Sequence, residues 1–166
     1  MTTARTAMAP ACAAALFTAA LTGCSGSTSD TAGEAYGSTP SASPSKPASV
    51  DTHSVARFGA ILADEKGRTL YLFLADKRNK SNCTGDCAKA WPPLRSKGDA
   101  KAGKGVTQKL LAITKRSGGD QQVTYNGHPL YYYAGDKKPG RTNGQALDQF
   151  GAEWYVLDAK GKQVES

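Results

Sequence analysis

Leu70-Tyr71-Leu72-Phe73-Leu74-Ala75-Asp76 and, sixty residues later, Leu130-Tyr131-Tyr132-Tyr133-Ala134-Gly135-Asp136 are two copies of one phrase. Each copy is preceded by glycine and a basic or imidazole side chain, Gly67-Arg68 and Gly127-His128. Each is followed by a basic pair, Lys77-Arg78 and Lys137-Lys138, and further on by a tryptophan, Trp91 and Trp154. Self-similarity of this kind means that one structural unit has been used twice. The first repeat runs over about 57–94 and the second over about 120–158.

Within each copy the period is two. On an extended strand Tyr71 and Phe73 point to one face and Leu70 and Leu72 to the other, and Tyr131 and Tyr133 alternate likewise with Leu130 and Tyr132. Both faces are apolar, so the strands are expected between layers. Upstream, residues 58–62 and 69–73 flank Ala63-Asp64-Glu65-Lys66-Gly67, a hairpin connection ending in glycine. In the second copy residues 123–125 and 129–133 flank Asn126-Gly127, the dipeptide suited to the positive φ angles of a type I′ turn. Cys87-Ala88-Lys89-Ala90-Trp91 reads as one helical turn stopped by Pro92-Pro93, and residues 110–114 and 154–157 read as further strands. A Lys/Gly-rich linker spans 95–105, and Lys160-Gly161 turns the chain into a last short strand. The expectation is a mainly β fold: one small domain, 53–166, made of two tandem β repeats with pseudo-twofold symmetry and little helix.

The N-terminal part differs in kind. Arg5 precedes an apolar stretch, residues 8–21, that is too short and alanine-rich to span a bilayer, and Leu21-Thr22-Gly23-Cys24 follows as a lipobox. Residues 1–23 are expected to be a lipoprotein signal peptide, with Cys24 as the lipidated mature N-terminus. Two acyl chains hold a protein to a membrane where one holds it marginally. Residues 24–52, rich in Ser, Thr, Gly, Ala and Pro, are expected to form a disordered tether. This places the protein on the extracytoplasmic face of a bacterial membrane.

The whole chain carries a formal net charge of +7. The excess sits in the folded part, where 19 Lys and Arg stand against 11 Asp and Glu. Besides membrane lipid through acylated Cys24, an anionic envelope polymer or an acidic protein would suit such a surface. Nucleic acid is the weakest candidate and is not expected as a partner, because a lipid-anchored extracytoplasmic protein rarely meets any. Cys83 and Cys87 are the only cysteines of the folded part. Outside the cytoplasm, close cysteines around a glycine form a disulfide. A loop this short shapes a turn more than it stabilises.

The two Tyr-x-(Phe/Trp/Tyr)-x-x-Asp motifs occur with Cys-Thr-Gly-Asp-Cys-Ala-Lys-Ala-Trp-Pro-Pro in the first repeat and Tyr125-Asn126-Gly127-His128-Pro129-Leu130-Tyr131 in the second. Together they resemble a family of bacterial secreted-repeat lipoproteins. The resemblance covers residues 58–158 and implies a lipid-anchored extracytoplasmic protein. The family has no assigned function, so no catalytic residue is carried over.

Asp76 and Asp136 are expected to accept backbone N–H groups in turns. The competing reading brings both carboxylates together across the symmetry axis as a metal or acid/base site. The aromatic residues are expected to pack the core. A ligand platform for a quinone, a glycan or a haem edge would use Tyr132, Trp91 and Trp154, with His128 beside them. With His53 and His128 as the only histidines, the residues offer no zinc set, and no metal or cofactor is expected. The sequence holds no Gly-x-Ser-x-Gly, His-Glu-x-x-His or phosphate loop, and no catalytic residues are assigned. The reading is non-enzymatic binding or scaffolding at the cell envelope. The alternative is an extracytoplasmic redox or metal-handling accessory using Cys83, Cys87, His128 and the two aspartates.

Overall fold

The computed structural model describes residues 44–165. The signal peptide, Cys24 and the tether up to residue 43 lie outside the described residues.

Two hairpins carry the repeated phrase. In the first, β2 (Gly59–Asp64) turns through Gly67, whose φ is 76°, and returns as β3 (Tyr71–Phe73). The Asp64 carboxylate pins the turn by accepting the Lys66 and Arg68 backbone N–H groups at 3.0 and 2.9 Å. In the second hairpin, β6 (Gln121–Tyr125) turns through Asn126 and Gly127 into β7 (His128–Pro129). Their φ angles of 49° and 87° are both positive, as a type I′ turn requires. Pro129 sits on β7, which pairs only with β6, so the missing N–H costs no ladder bond.

Three small sheets complete the described part. β2 is joined by β1 (Ser49–Val55), which also pairs in parallel with β4 (Lys101–Ala102). β3 pairs with β9 (Ala152–Val156), and β9 with β8 (Leu147–Gln149). β6 pairs with β5 (Leu111–Lys115) on its other edge. One short helix, α1 (Asp86–Ala90), covers the expected helical turn before Trp91. The fold is mainly β, as the period-two pattern indicates.

A pseudo-twofold axis passes between Tyr71 and Tyr131. Each donates its backbone N–H to the other's carbonyl, at 2.8 and 3.0 Å. Equivalent bonds repeat outward: Leu62 N–H donates to Leu157 O and Val123 N–H to Leu94 O, both at 2.9 Å. The alternation of the repeated phrase becomes two cores. Leu70, Leu72 and Leu130 enter one with Val50, Leu62 and Val123. Tyr71, Phe73 and Tyr131 enter the other with Trp91, Trp154 and the two cysteines.

The boundary of the tether requires a correction. Residues 49–52, assigned to a disordered tether, belong to β1, and Val50 is fully buried. The segment is polar, with Val50 and Val55 its only large apolar side chains, so it lacks a strand signal of its own. It is extended because the open edge of β2 offers a ladder of six paired positions. His53 accordingly lies within a strand and not at a tether end.

Candidate functional site

The second core is a column of rings built across the axis. Phe73 stacks on Trp154 with centroids 4.0 Å apart, Trp154 on Trp91 at 3.9 Å, and Trp91 on Tyr133 at 4.3 Å. The two indoles are within 4° of parallel. Tyr71 meets Trp91 edge-on at 5.4 Å and Tyr131 meets Trp154 edge-on at 5.2 Å. The two edge-on contacts suit ring quadrupoles. The column forms because equivalent segments add alongside each motif strand. Trp154 on β9 lies opposite Phe73 on β3, while Tyr132 N–H donates to Pro92 O at 2.8 Å and so holds Trp91 beside the second motif. Both indole N–H groups converge on Gln149: Trp91 donates to its Oε1 and Trp154 to its backbone oxygen, each at 3.0 Å. Gly144 lets the chain pass close beneath, since a Cβ there would lie 2.7 Å from the Trp91 ring.

The motif aspartates close turns and also cross the axis. Asp76 accepts Asn82 N–H at 2.6 Å, and Asp136 accepts Asn143 N–H at 2.9 Å. Each uses its other oxygen for the tyrosine of the opposite repeat. Tyr131 donates its hydroxyl to Asp76 and Tyr71 donates to Asp136, both at 2.6 Å. The two carboxylates therefore do not pair with each other; each pairs with a phenol. Burial, the largest cause, raises both aspartate pKa values, and the tyrosine and asparagine hydrogen bonds oppose it. Burial and then the partner carboxylate push both phenols far above the ordinary tyrosine range. The phenols are thus neutral donors to carboxylates, the short and strong kind of hydrogen bond.

The remaining candidates are dispersed. Trp91 and Trp154 have no exposed surface and present no face to a ligand. Tyr132 faces the other way, against the leucine core, and is covered by the Arg68 guanidinium 4.0 Å from its ring centre. Its hydroxyl accepts from Arg68 at 2.9 Å and donates to Asp64 at 3.1 Å. His128 is half-buried on β7, and burial and then the nearby Arg78 lower its pKa. Cys83 and Cys87 form the expected disulfide, with Cα atoms 5.2 Å apart. Among the described residues, no group of three or more His, Cys, Asp or Glu side chains could hold a metal ion. Residues not singled out by the sequence complete the site: Ser81, Asn82, Asn143, Gly144 and Gln149. Asn82 and Asn143 follow their motif aspartates by six and seven residues, a recurrence that self-comparison contains.

The crossed Tyr–Asp pairs and the shared ring column show that the two motifs work as a unit, and a known family is defined on the same two segments. A family described as a secreted repeat of unknown function matches residues 55–95 and 112–158. The chain belongs to this family. Membership in a family of secreted repeats implies an extracellular location, and no helix among the described residues is long and apolar enough to cross a membrane. Neither the curated proteins nor the solved structures contain a match. Within the secreted repeat, the tyrosine and the aspartate of one motif are the partners of the aspartate and the tyrosine of the other.

Proposed function

We propose that this secreted-repeat protein is a lipid-anchored component of a bacterial envelope that acts by binding an anionic envelope polymer, and not by catalysis. Anchoring rests on the lipobox that ends at Cys24. The observation that carries the binding reading is a pair of basic loops, one after each motif aspartate. Lys77, Arg78 and Lys80 follow Asp76, and Lys137 and Lys138 follow Asp136; all five are exposed. Among the described residues the ion pairs are Lys46–Glu65, Arg68–Asp64, Lys89–Asp86 and Arg95–Asp120, so none of these five cations is neutralised by a carboxylate. Two related clusters on one scaffold suit a ligand that itself repeats, because a second contact then forms at high effective concentration. The poly(glycerol phosphate) type of chain has that chemistry.

The test has two arms. Cys24→Ser should move the protein from the membrane fraction to the medium. Retention on immobilised poly(glycerol phosphate) should be strong at low salt and weaken as salt rises. Changing all five basic residues to Gln should abolish it. Failure of the unaltered protein to bind at low salt would end the polymer reading, and membrane retention of the Cys24→Ser chain would end the anchoring one.

A further inference from the structure

We propose that the ring column is a one-electron relay, in which the electron taken by a radical oxidant at Tyr133 is supplied by Tyr71 or Tyr131, whose phenolic proton passes to Asp136 or Asp76. This activity is independent of the polymer binding proposed above.

The geometry distinguishes transit from terminus. Trp91 and Trp154 stack at 3.9 Å, and each is touched edge-on by one motif tyrosine, so electron exchange has no gap to cross. An oxidised indole here has no base to take its proton. Both N–H groups point at neutral oxygens of Gln149, and the tryptophans can only pass the vacancy on. An oxidised phenol is a very strong acid and settles as a neutral radical only where its proton has an acceptor. Tyr71 and Tyr131 each have a carboxylate oxygen 2.6 Å away, in a buried setting that favours proton uptake by the aspartate. The two termini share this carboxylate because the repeats are alike, and Tyr131 has Ser81 Oγ at 2.7 Å besides.

The ends of the column differ. Phe73 closes one end, fully packed and too hard to oxidise to take part, whereas Tyr133, its counterpart across the axis, is partly exposed and stacks on Trp91. The column therefore has one port. For an organic peroxyl radical the step balances as follows. The radical accepts one electron from the column and one proton from solvent and becomes a hydroperoxide. The Tyr71 O–H bond breaks, its proton goes to Asp136, and Tyr71 is left as a neutral phenoxyl radical.

Azide radical generated by pulse radiolysis in a solution of the full chain provides the test. Indole radical absorption should appear first and convert to phenoxyl absorption at a rate independent of protein concentration and slowed in D2O. The persistent phenoxyl signal should vanish in the Tyr71→Phe, Tyr131→Phe double variant. It should decay at least an order of magnitude faster when both motif aspartates are changed to Asn, and Tyr133→Phe should slow indole oxidation. Tyr133 lies at the edge of the core, so this last variant remains decisive where the double variant fails to fold. Indole radicals that decay without feeding a phenoxyl, or a phenoxyl signal indifferent to these substitutions, would overturn the relay.

Discussion

Asp136→Ala should destabilise the protein more than Asp76→Ala, although the two residues occupy equivalent places in the repeat. Each substitution removes one backbone bond, from Asn143 or Asn82, at a position exposed enough for water to replace it. The tyrosines respond differently. Tyr131 keeps an acceptor when Asp76 is gone, because Ser81 Oγ is 2.7 Å from its hydroxyl. Tyr71 has only the Gly144 N–H at 3.3 Å, which is itself a donor, so its own O–H is left without a partner. Both tyrosines are fully buried, and an orphaned buried donor costs about 1–3 kcal/mol. The difference between the variants should have that size, which corresponds to a midpoint lower by about 1 M urea for Asp136→Ala at the usual slope for a small domain. Urea titrations followed by tryptophan fluorescence, with the disulfide intact, measure it directly. Adding Ser81→Ala to Asp76→Ala should remove the gap. Equal midpoints for the two single variants, or a lower one for Asp76→Ala, would refute the assignment of hydrogen-bond partners.

The same carboxyls set a pH dependence. Their folded pKa values lie above the ordinary 3.8, so the folded state binds more protons and stability falls as pH rises through the window between 3.8 and the raised values. Acidifying from neutral into that window should stabilise the wild type relative to an Asp76→Asn, Asp136→Asn double variant; a relative loss in urea titrations would contradict it. Gly144→Ala should lower stability by about 1–3 kcal/mol through overpacking. Its Cβ would meet the Trp91 and Tyr71 rings at 2.7–2.9 Å, and near-ultraviolet circular dichroism should report the disturbed indole pair.

The alternation in the repeated phrase was enough to separate the two cores, because side-chain period in a strand is a local property. The hairpin turn at Asn126-Gly127 and the helical turn before Trp91 were legible for the same reason. β1 was not: its polar residues form a strand only because β2 and β4 offer edges on either side. The aspartates were half legible. Their turn-closing role follows from position after a strand, but the tyrosine each one bonds belongs to the other copy, and spacing within one repeat cannot say which copy lies alongside. The signal was the twofold itself, since two facing hairpins set each motif's tyrosine against its neighbour's turn. Gln149 was not legible because a lone glutamine at the end of β8 carries no pattern of its own.

The reciprocal backbone bonds between Tyr71 and Tyr131 also bear on how a secreted chain reaches its native state. The first hairpin emerges without its mate and must wait until the second, sixty residues later, has been delivered. Closing so long a loop before any reward makes folding slow and all-or-none. Until then the first repeat has its leucine and tyrosine faces open. A chain cut in the linker after residue 95 would lose the fold of the repeat that remains along with the one removed.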